Sequence, residues 1–210
     1  MKDYSTYLFD WDGTLSKTLD IWVAVLRELF ASYDIHPTDK QIGAVLGDWP
    51  ATLALGVPQQ NQQKFRSDAE AKAYQKYLSP ELYEGVVPML ARLKQANKKL
   101  ALITTSKHEA IDIVLAHHEL VDLFDLIIAG DDVTAHKPDP EGILCALKHF
   151  GTPKDQAVML GDTDKDLGAA RNAAIDSILF YPASHEPLYE RQYLQSLEPV
   201  RVLSHWDELA

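Results

Sequence analysis

The chain is poor in cysteine, in long apolar runs and in positive charge. A single cysteine, Cys145, excludes an internal disulfide and cannot build a zinc site without many other ligands. Its place inside an apolar helical pattern gives the expectation that it only packs. No stretch approaches the roughly 18 apolar residues of a membrane span, and the opening MKDYSTYLFD lacks the apolar segment of a signal peptide. A cytoplasmic protein with no membrane partner is expected. Lys and Arg number 20 against 31 Asp and Glu, a formal net charge of −11, which speaks against a nucleic-acid footprint or an anionic lipid surface. Any phosphate must therefore be captured by a few local groups. There is no internal repeat, low-complexity tract or flexible linker. What the chain does have is 46% hydrophobic residues over 210 positions, enough to fill a core.

Five apolar segments read as strands: Tyr4 to Phe9, Leu100 to Thr104, Leu126 to Ala129, Ala157 to Leu160 and Ser177 to Tyr181. Each is nearly continuous rather than alternating, the pattern of strands covered on both faces. Helical patterns at Val87 to Ala96, Glu109 to His117, Pro140 to Phe150 and Asp164 to Ala174 lie between the later strands. This alternation predicts an α/β fold, a doubly wound, Rossmann-like and mostly parallel sheet. The interval between Phe9 and Leu100 breaks the rhythm and reads as helical. Ile21, Trp22, Val25, Leu26, Leu29 and Phe30 share one helical face. Thr38, with Gln41 three residues on, fits a capping box opening a second helix after Pro37. Gly47, Pro50, Gly56 and Pro58 punctuate a loop-rich stretch, and Phe65 to Leu78 gives another helix halted before Pro80. The expected division is a core of residues 1–16 and 83–210 with a small helical domain, residues 17–82, inserted into it.

The unusual polar residues fall after strands. Asp10 and Asp12 follow the first within YLFDWDGTL, Thr104 ends the second, Lys137 follows the third within AHKPDP, and Asp162 and Asp166 follow the fourth within GDTDKD. In an open α/β sheet the carboxyl edge is where ligands bind, so these clusters are predicted to converge. Asp-Gly alone is an ordinary turn. The stretch DTDKDLG does not make a calcium loop, because Leu167 stands where that loop needs glycine and Ala173 where it needs glutamate. Four carboxylates at one edge repel each other unless a cation holds them. Hard oxygen ligands without nearby His or Cys favour Mg²⁺, with a substrate phosphate oxygen and water completing its shell. Lys137 then balances a phosphoryl dianion and Thr104 offers a hydroxyl donor.

FDWDGTL, LITT, HKPDP and GDTDKDLGAA, in that order and spacing, resemble the four motifs of the haloacid dehalogenase-like hydrolases. The likeness runs along nearly the whole chain, and the insertion after the first motif is similar to the helical cap of phosphoglycolate phosphatase-like members. The resemblance implies that Asp10 is a nucleophile forming an aspartyl-phosphate and that Asp12 protonates the leaving oxygen and then activates water. It implies Mg²⁺ bound by the Asp10 carboxylate, the Asp12 backbone carbonyl and Asp162, with Asp166 in support. Thr104, Thr105, Lys137 and the backbone N–H at Trp11 would hold the transferring oxygens. Gly13 and Thr14 would shape the tight exit from the strand.

Asp12 sorts the family's activities. Dehalogenase-type members have no acid two residues after the nucleophile and phosphonoacetaldehyde hydrolases carry alanine there, so a small phosphorylated metabolite is the expected partner. DDVT before KPDPE is similar to the pyrophosphatase branch, which makes inorganic pyrophosphate the alternative substrate. A sugar-phosphate mutase, akin to β-phosphoglucomutase, expects a basic residue in the insertion loop LGDWPATLALG, which has none. A non-catalytic member binding a phospholigand is the remaining rival. Lys17 and Trp49 are candidate specificity residues, although Trp49 fits packing between helices equally well. Lys17-Thr18, Thr105 and Ala173-Ala174 depart from the family's usual Asp-Ser or Asp-Thr, Asn and Ala-Gly. The expected state is a monomer or homodimer.

Overall fold

Strand β1 (Thr6–Phe9) is buried along its whole length, because partners flank it on both edges. In the computed structural model, which describes residues 2–46 and 48–209 but not the side chain of residue 75, β2 (Lys99–Ile103) and β4 (Ala157–Gly161) pair with it in parallel. β3 (Leu126–Ile128) extends the sheet beyond β2, and β5 (Asp176–Phe180) and β6 (Arg201–Leu203) extend it beyond β4. The order among the described residues is β3-β2-β1-β4-β5-β6. All five expected strands form, with ends moved by one or two residues. β6 is additional: three residues at the sheet edge are too short a run to stand out from a loop.

The continuous apolar runs are explained by two layers. Tyr7, Phe9, Leu102 and Leu160 face one side, with helices α4 (Val86–Gln95) and α5 (His108–His117) and the buried Trp206. Leu8, Ala101, Ile103 and Met159 face the other, against helices α6 (Glu141–Phe150) and α7 (Asp164–Ala173). Each buried Leu or Phe contributes roughly 1.5–3 kcal/mol. Cys145 does not pack in the core as expected: it is exposed on the outer side of α6, just before the buried Ala146 and Leu147.

Between β1 and α4 lie helices α1 (Thr18–Ala31), α2 (Asp39–Val45) and α3 (Gln62–Tyr77). The capping box opens α2, with the Gln41 N–H donating to the Thr38 hydroxyl at 3.3 Å and the Thr38 N–H to the Gln41 amide oxygen at 2.9 Å. Gly47 lies outside the described residues. These helices enclose a separate apolar cluster, centred on Phe30 and Phe65 with rings 4.8 Å apart. α3 contributes a stripe at four-residue spacing, Phe65, Ala69, Ala73 and Tyr77, all buried. The chain enters and leaves through a short ribbon. The Lys17 N–H donates to the Glu81 carbonyl at 2.8 Å, the Tyr83 N–H to the Leu15 carbonyl at 3.0 Å, and Ser16 pairs antiparallel with Leu82.

The far end of the insertion rests on the sheet layer. An added Cβ at Gly43 would stand 2.4 Å from the Leu188 carbonyl oxygen, so α2 sits directly on that backbone. The Lys165 ammonium donates to the Leu46 carbonyl at 3.0 Å, and Lys40 pairs with Glu190.

Ala174 caps α7 in the left-handed region, at φ 59°, where a Cβ is costly and glycine is not. Ala174→Gly is therefore expected to raise stability by about 0.5–1 kcal/mol, net of the entropy that glycine adds to the unfolded chain. Urea unfolding with an unchanged m-value checks it; a lower midpoint would contradict it.

Candidate active site

Parallel register decides which residues meet. Phe9 lies beside Leu102 on one neighbour and Leu160 on the other, so the residues just beyond these three strands share one edge. The Asp10 N–H continues the ladder to the Leu160 carbonyl at 2.9 Å, and the Thr104 N–H does so to Ile128 at 3.0 Å. The chain then turns sharply. The Trp11 carbonyl accepts from the N–H groups of Thr14 at 3.3 Å, Leu15 at 3.1 Å and Ser16 at 3.0 Å, which curls residues 11–16 back over the sheet edge. Gly13 makes that curl feasible: its φ is 77° and an added Cβ would fall 2.4 Å from Asp162 Oδ2. The Trp11 side chain is fully buried in the core, so only its backbone belongs to this edge.

Asp10, Asp162 and Asp166 bring carboxylate oxygens within 4.8 Å of one another, all buried. One ammonium answers them. Lys137 Nζ donates to Asp10 Oδ1, to Asp166 Oδ1 at 2.6 Å and to the Ile103 carbonyl at 3.1 Å, which uses all three protons. Thr14 Oγ1 stands 3.1 Å from Asp10 Oδ2 and 3.1 Å from Asp162 Oδ1, joining the two acids. Asp166 also accepts from the Thr163 N–H at 3.1 Å and hydroxyl at 2.8 Å, so it is fixed at the start of α7.

Burial, then the Asp166 and Asp12 charges, push Asp10 up to about 7 despite Lys137. Burial and the Asp166 and Asp10 carboxylates raise Asp162 well above the usual carboxylate range. Burial would lower Lys137, but Asp10 and Asp166 outweigh it and hold the ammonium protonated. The cluster thus has more negative charge than its own cation balances, and Asp162 Oδ2 has no hydrogen-bond partner among the described residues. An all-oxygen set with an orphaned carboxylate oxygen fits a hard divalent cation held by Asp10 and Asp162.

Asp12 stands apart from this cluster. Its Oδ2 accepts from the Tyr77 hydroxyl at 3.0 Å and the Ser106 hydroxyl at 3.1 Å, and those hydroxyls are 2.7 Å from each other. Its Oδ1 is buried without a partner among the described residues. Burial raises its pKa, opposed by the hydroxyls of Thr18, Tyr77 and Ser106. Asp10 and Asp12, two positions apart, occupy different environments, one ion-paired and one held by hydroxyls.

Thr104 is buried and its hydroxyl oxygen accepts from the Ser106 N–H at 3.1 Å, leaving its proton free to donate. Thr105 is exposed, and no hydrogen bond ties its side chain to the cluster among the described residues. The Lys17 ammonium turns to Glu81 at 3.1 Å. Trp49 is half-buried against Trp22, with ring centroids 6.2 Å apart, and Trp22 in turn lies 6.1 Å from the Tyr77 ring.

Tyr77, Ser106, Thr18 and His185 were not singled out by sequence motif. Tyr77 carried a readable signal: it ends the buried α3 stripe, and a buried phenol needs a polar partner. His185 is fully buried beside Asp162, and burial lowers its pKa to about 3.

No helix of the described residues is long and apolar enough to cross a membrane. The haloacid dehalogenase-like hydrolase family profile matches residues 7–180. A pyrophosphatase PpaX from Halalkalibacterium halodurans is 30% identical over 91% of this chain and 90% of its own. A phosphoglycolate phosphatase from Colwellia psychrerythraea is 31% identical over 85% and 84% of the two chains. A solved structure of a haloacid dehalogenase-like protein from Bacteroides fragilis is 27% identical, covers 99% of this chain and 100% of its own, and superposes with a TM-score of 0.85. With the sheet, the Asp10 turn and the Lys137 and Asp162 loops all inside the profile match, the chain belongs to the haloacid dehalogenase-like hydrolases.

Proposed function

We propose that the protein is a Mg²⁺-dependent phosphatase that hydrolyses a small, phosphoglycolate-like phosphomonoester through an aspartyl-phosphate on Asp10. The observation that carries this reading is the contrast between Asp10 and Asp12. Asp10 lies beside Lys137 in the cation-type cluster, where a bound cation would hold it ionised against a phosphoryl group. Asp12 is clamped by Tyr77 and Ser106 through one oxygen while the other, Oδ1, is unpartnered. That is an arrangement for moving a proton. An Asp10 carboxylate oxygen attacks phosphorus, the phosphorus–oxygen ester bond breaks, and the leaving oxygen takes a proton from Asp12. Asp12, now ionised, takes a proton from water as that water attacks the aspartyl-phosphate, releasing inorganic phosphate and restoring both acids. Lys137, Thr104 and the Trp11 backbone N–H hold the transferring oxygens, each such donor supplying about 3 kcal/mol. Asp10, Asp162 and the Asp12 carbonyl would hold Mg²⁺, which when bound would supply charge neutralisation for the phosphoryl group.

In the same reading residues 17–82 act as a cap over a core of residues 1–16 and 83–210, and Tyr77 brings the cap to Asp12. A phosphomonoester is favoured over substrates with a second phosphate because, among the described residues, every cation of the insertion except the exposed Lys76 is in an ion pair, Lys17 with Glu81 included. Arg27 pairs with Asp39, Lys40 with Glu190, Lys64 with Asp68, Arg66 with Glu70 and Lys72 with Glu28. Mutase chemistry, which must grip two phosphates, is disfavoured on the same ground. Pyrophosphate hydrolysis is the second reading, supported by the PpaX relatives.

Phosphate release from a panel holding phosphoglycolate, sugar monophosphates and pyrophosphate, compared by kcat/KM with Mg²⁺, tests the substrate. Asp10→Asn is expected to keep the fold and lower turnover by about 10⁴-fold or more; surviving turnover, or full activity in EDTA, would refute the mechanism. Tyr77→Phe is expected to cost about tenfold in kcat, one hydrogen bond's worth, with KM little changed; a loss confined to KM would place Tyr77 in binding instead. Metal removal has a stability signature too. With its pKa raised to about 7, folded Asp10 keeps a proton that the unfolded chain releases near pH 4. Stability of the metal-free protein therefore falls as pH rises from about 4 to about 7. Melting curves in EDTA should decline across that window and recover with Mg²⁺ at the upper end; a flat or rising profile would contradict the charge balance described for the cluster.

A further inference from the structure

His185 lies in none of the sequence motifs, yet it is one of the most enclosed polar side chains in the protein. It ends the short turn Ala183–His185 that follows β5 and is fully buried. Four rings surround its imidazole: Tyr83 at 6.0 Å, Phe180 at 6.2 Å, Tyr181 at 6.0 Å and Tyr189 at 5.6 Å between centroids. Its Nε2 is 2.9 Å from the Tyr83 hydroxyl. Its Nδ1 points at Asp162 Oδ2 from 3.9 Å, and neither of these two buried atoms has a hydrogen bond to any described residue.

Two neighbours flank Asp162 Oδ2. Gly13 closes one side, since an added Cβ there would reach 2.4 Å from this oxygen, and His185 faces it on another. The second oxygen, Oδ1, is joined to Thr14 at 3.1 Å. A neutral imidazole carries one N–H. A carboxylate facing Nδ1 favours the proton there, which leaves Nε2 to accept from the Tyr83 hydroxyl. Tyr83 is thus hydrogen-bonded to His185, and the His185 Nδ1–H faces Asp162 Oδ2 across 3.9 Å.

We propose that His185 is a positioning residue for the cation site, its Nδ1–H orienting the Asp162 carboxylate and Tyr83 fixing the tautomer that presents it. This rests on the reading of Asp10 and Asp162 as the cation's ligands. Groups that orient a ligating side chain typically govern metal affinity by 10–100-fold. Ring packing alone does not call for an imidazole here; what it adds is the Nε2 that meets the Tyr83 hydroxyl and the Nδ1 that faces Asp162.

Mn²⁺ binding to the full-length, EDTA-stripped protein, followed by electron paramagnetic resonance and by Mg²⁺ competition, tests it without reference to turnover. His185→Leu is expected to weaken Mn²⁺ binding about 10–100-fold in a protein that still folds without metal, with a lower melting temperature because the Tyr83 hydroxyl loses its partner. His185→Asn, which retains a donor near the Nδ1 position, is expected to stay within about threefold of the wild type, and Tyr83→Phe to fall between the two. Unchanged affinity in folded His185→Leu, or equal losses in the Leu and Asn variants, would overturn the proposal. Should His185→Leu not fold, the ranking of Asn and Tyr83→Phe decides: unchanged binding in Tyr83→Phe overturns it. Wild-type protein that binds no Mn²⁺ or Mg²⁺ would overturn the cation site itself, a failure seen without any variant.

Discussion

The structure depends on the ion pair that Lys137 makes with Asp10 and Asp166. Burying one carboxylate costs several kcal/mol unless it is paired, and this edge of the sheet buries three within a few ångströms. Lys137 spends all its protons on Asp10, Asp166 and the end of β2. It thereby ties the loops after β1, β2, β3 and β4 into one unit. The remaining negative charge exceeds what Lys137 balances, and in the proposed reading this excess would draw a cation, through which a phosphoryl group would be held. A surface position would have dissipated it in water.

The sheet's order converts that electrostatic demand into geometry. β1 is central, so its carboxyl end has a neighbour on either side, and the chain crosses from one side of β1 to the other between β3 and β4. A switch of this kind opens a crevice at the carboxyl edge. Asp10 lies at its floor, Thr104 on one flank and Asp162 on the other. The helical insertion leaves from the same point, which is why its last helix can bring Tyr77 to Asp12 although 65 residues separate them.

Much of this was legible in the sequence, for physical reasons. Central parallel strands must be apolar on both faces, so β1, β2 and β4 stand out as unbroken runs, and polar residues placed just after them stand out equally. Thr38 and Gln41 announced α2 because a capping box is a local interaction. What was not legible depends on tertiary contact. β6 is three edge residues; Ser106 is one of many loop serines until β2 and α3 place it against Asp12. Lys17 faces Glu81 rather than the crevice because the entry ribbon pairs those two stretches. Cys145 sits in an apolar pattern, but the helix turns it outward, since the stripe that faces the sheet runs through Ile143, Ala146 and Leu147.

The central claim is that two acids one residue apart do different chemistry, Asp10 by bonding to phosphorus and Asp12 by moving a proton. The most direct measurement is rapid acid quench of the protein during turnover of a phosphomonoester with Mg²⁺, followed by peptide mass spectrometry. A phosphoryl group carried on the peptide containing Asp10, and lost in Asp10→Asn, is the expected result. Steady turnover with no phosphorylated peptide at any quench time, or a phosphoryl group carried elsewhere, would contradict the account.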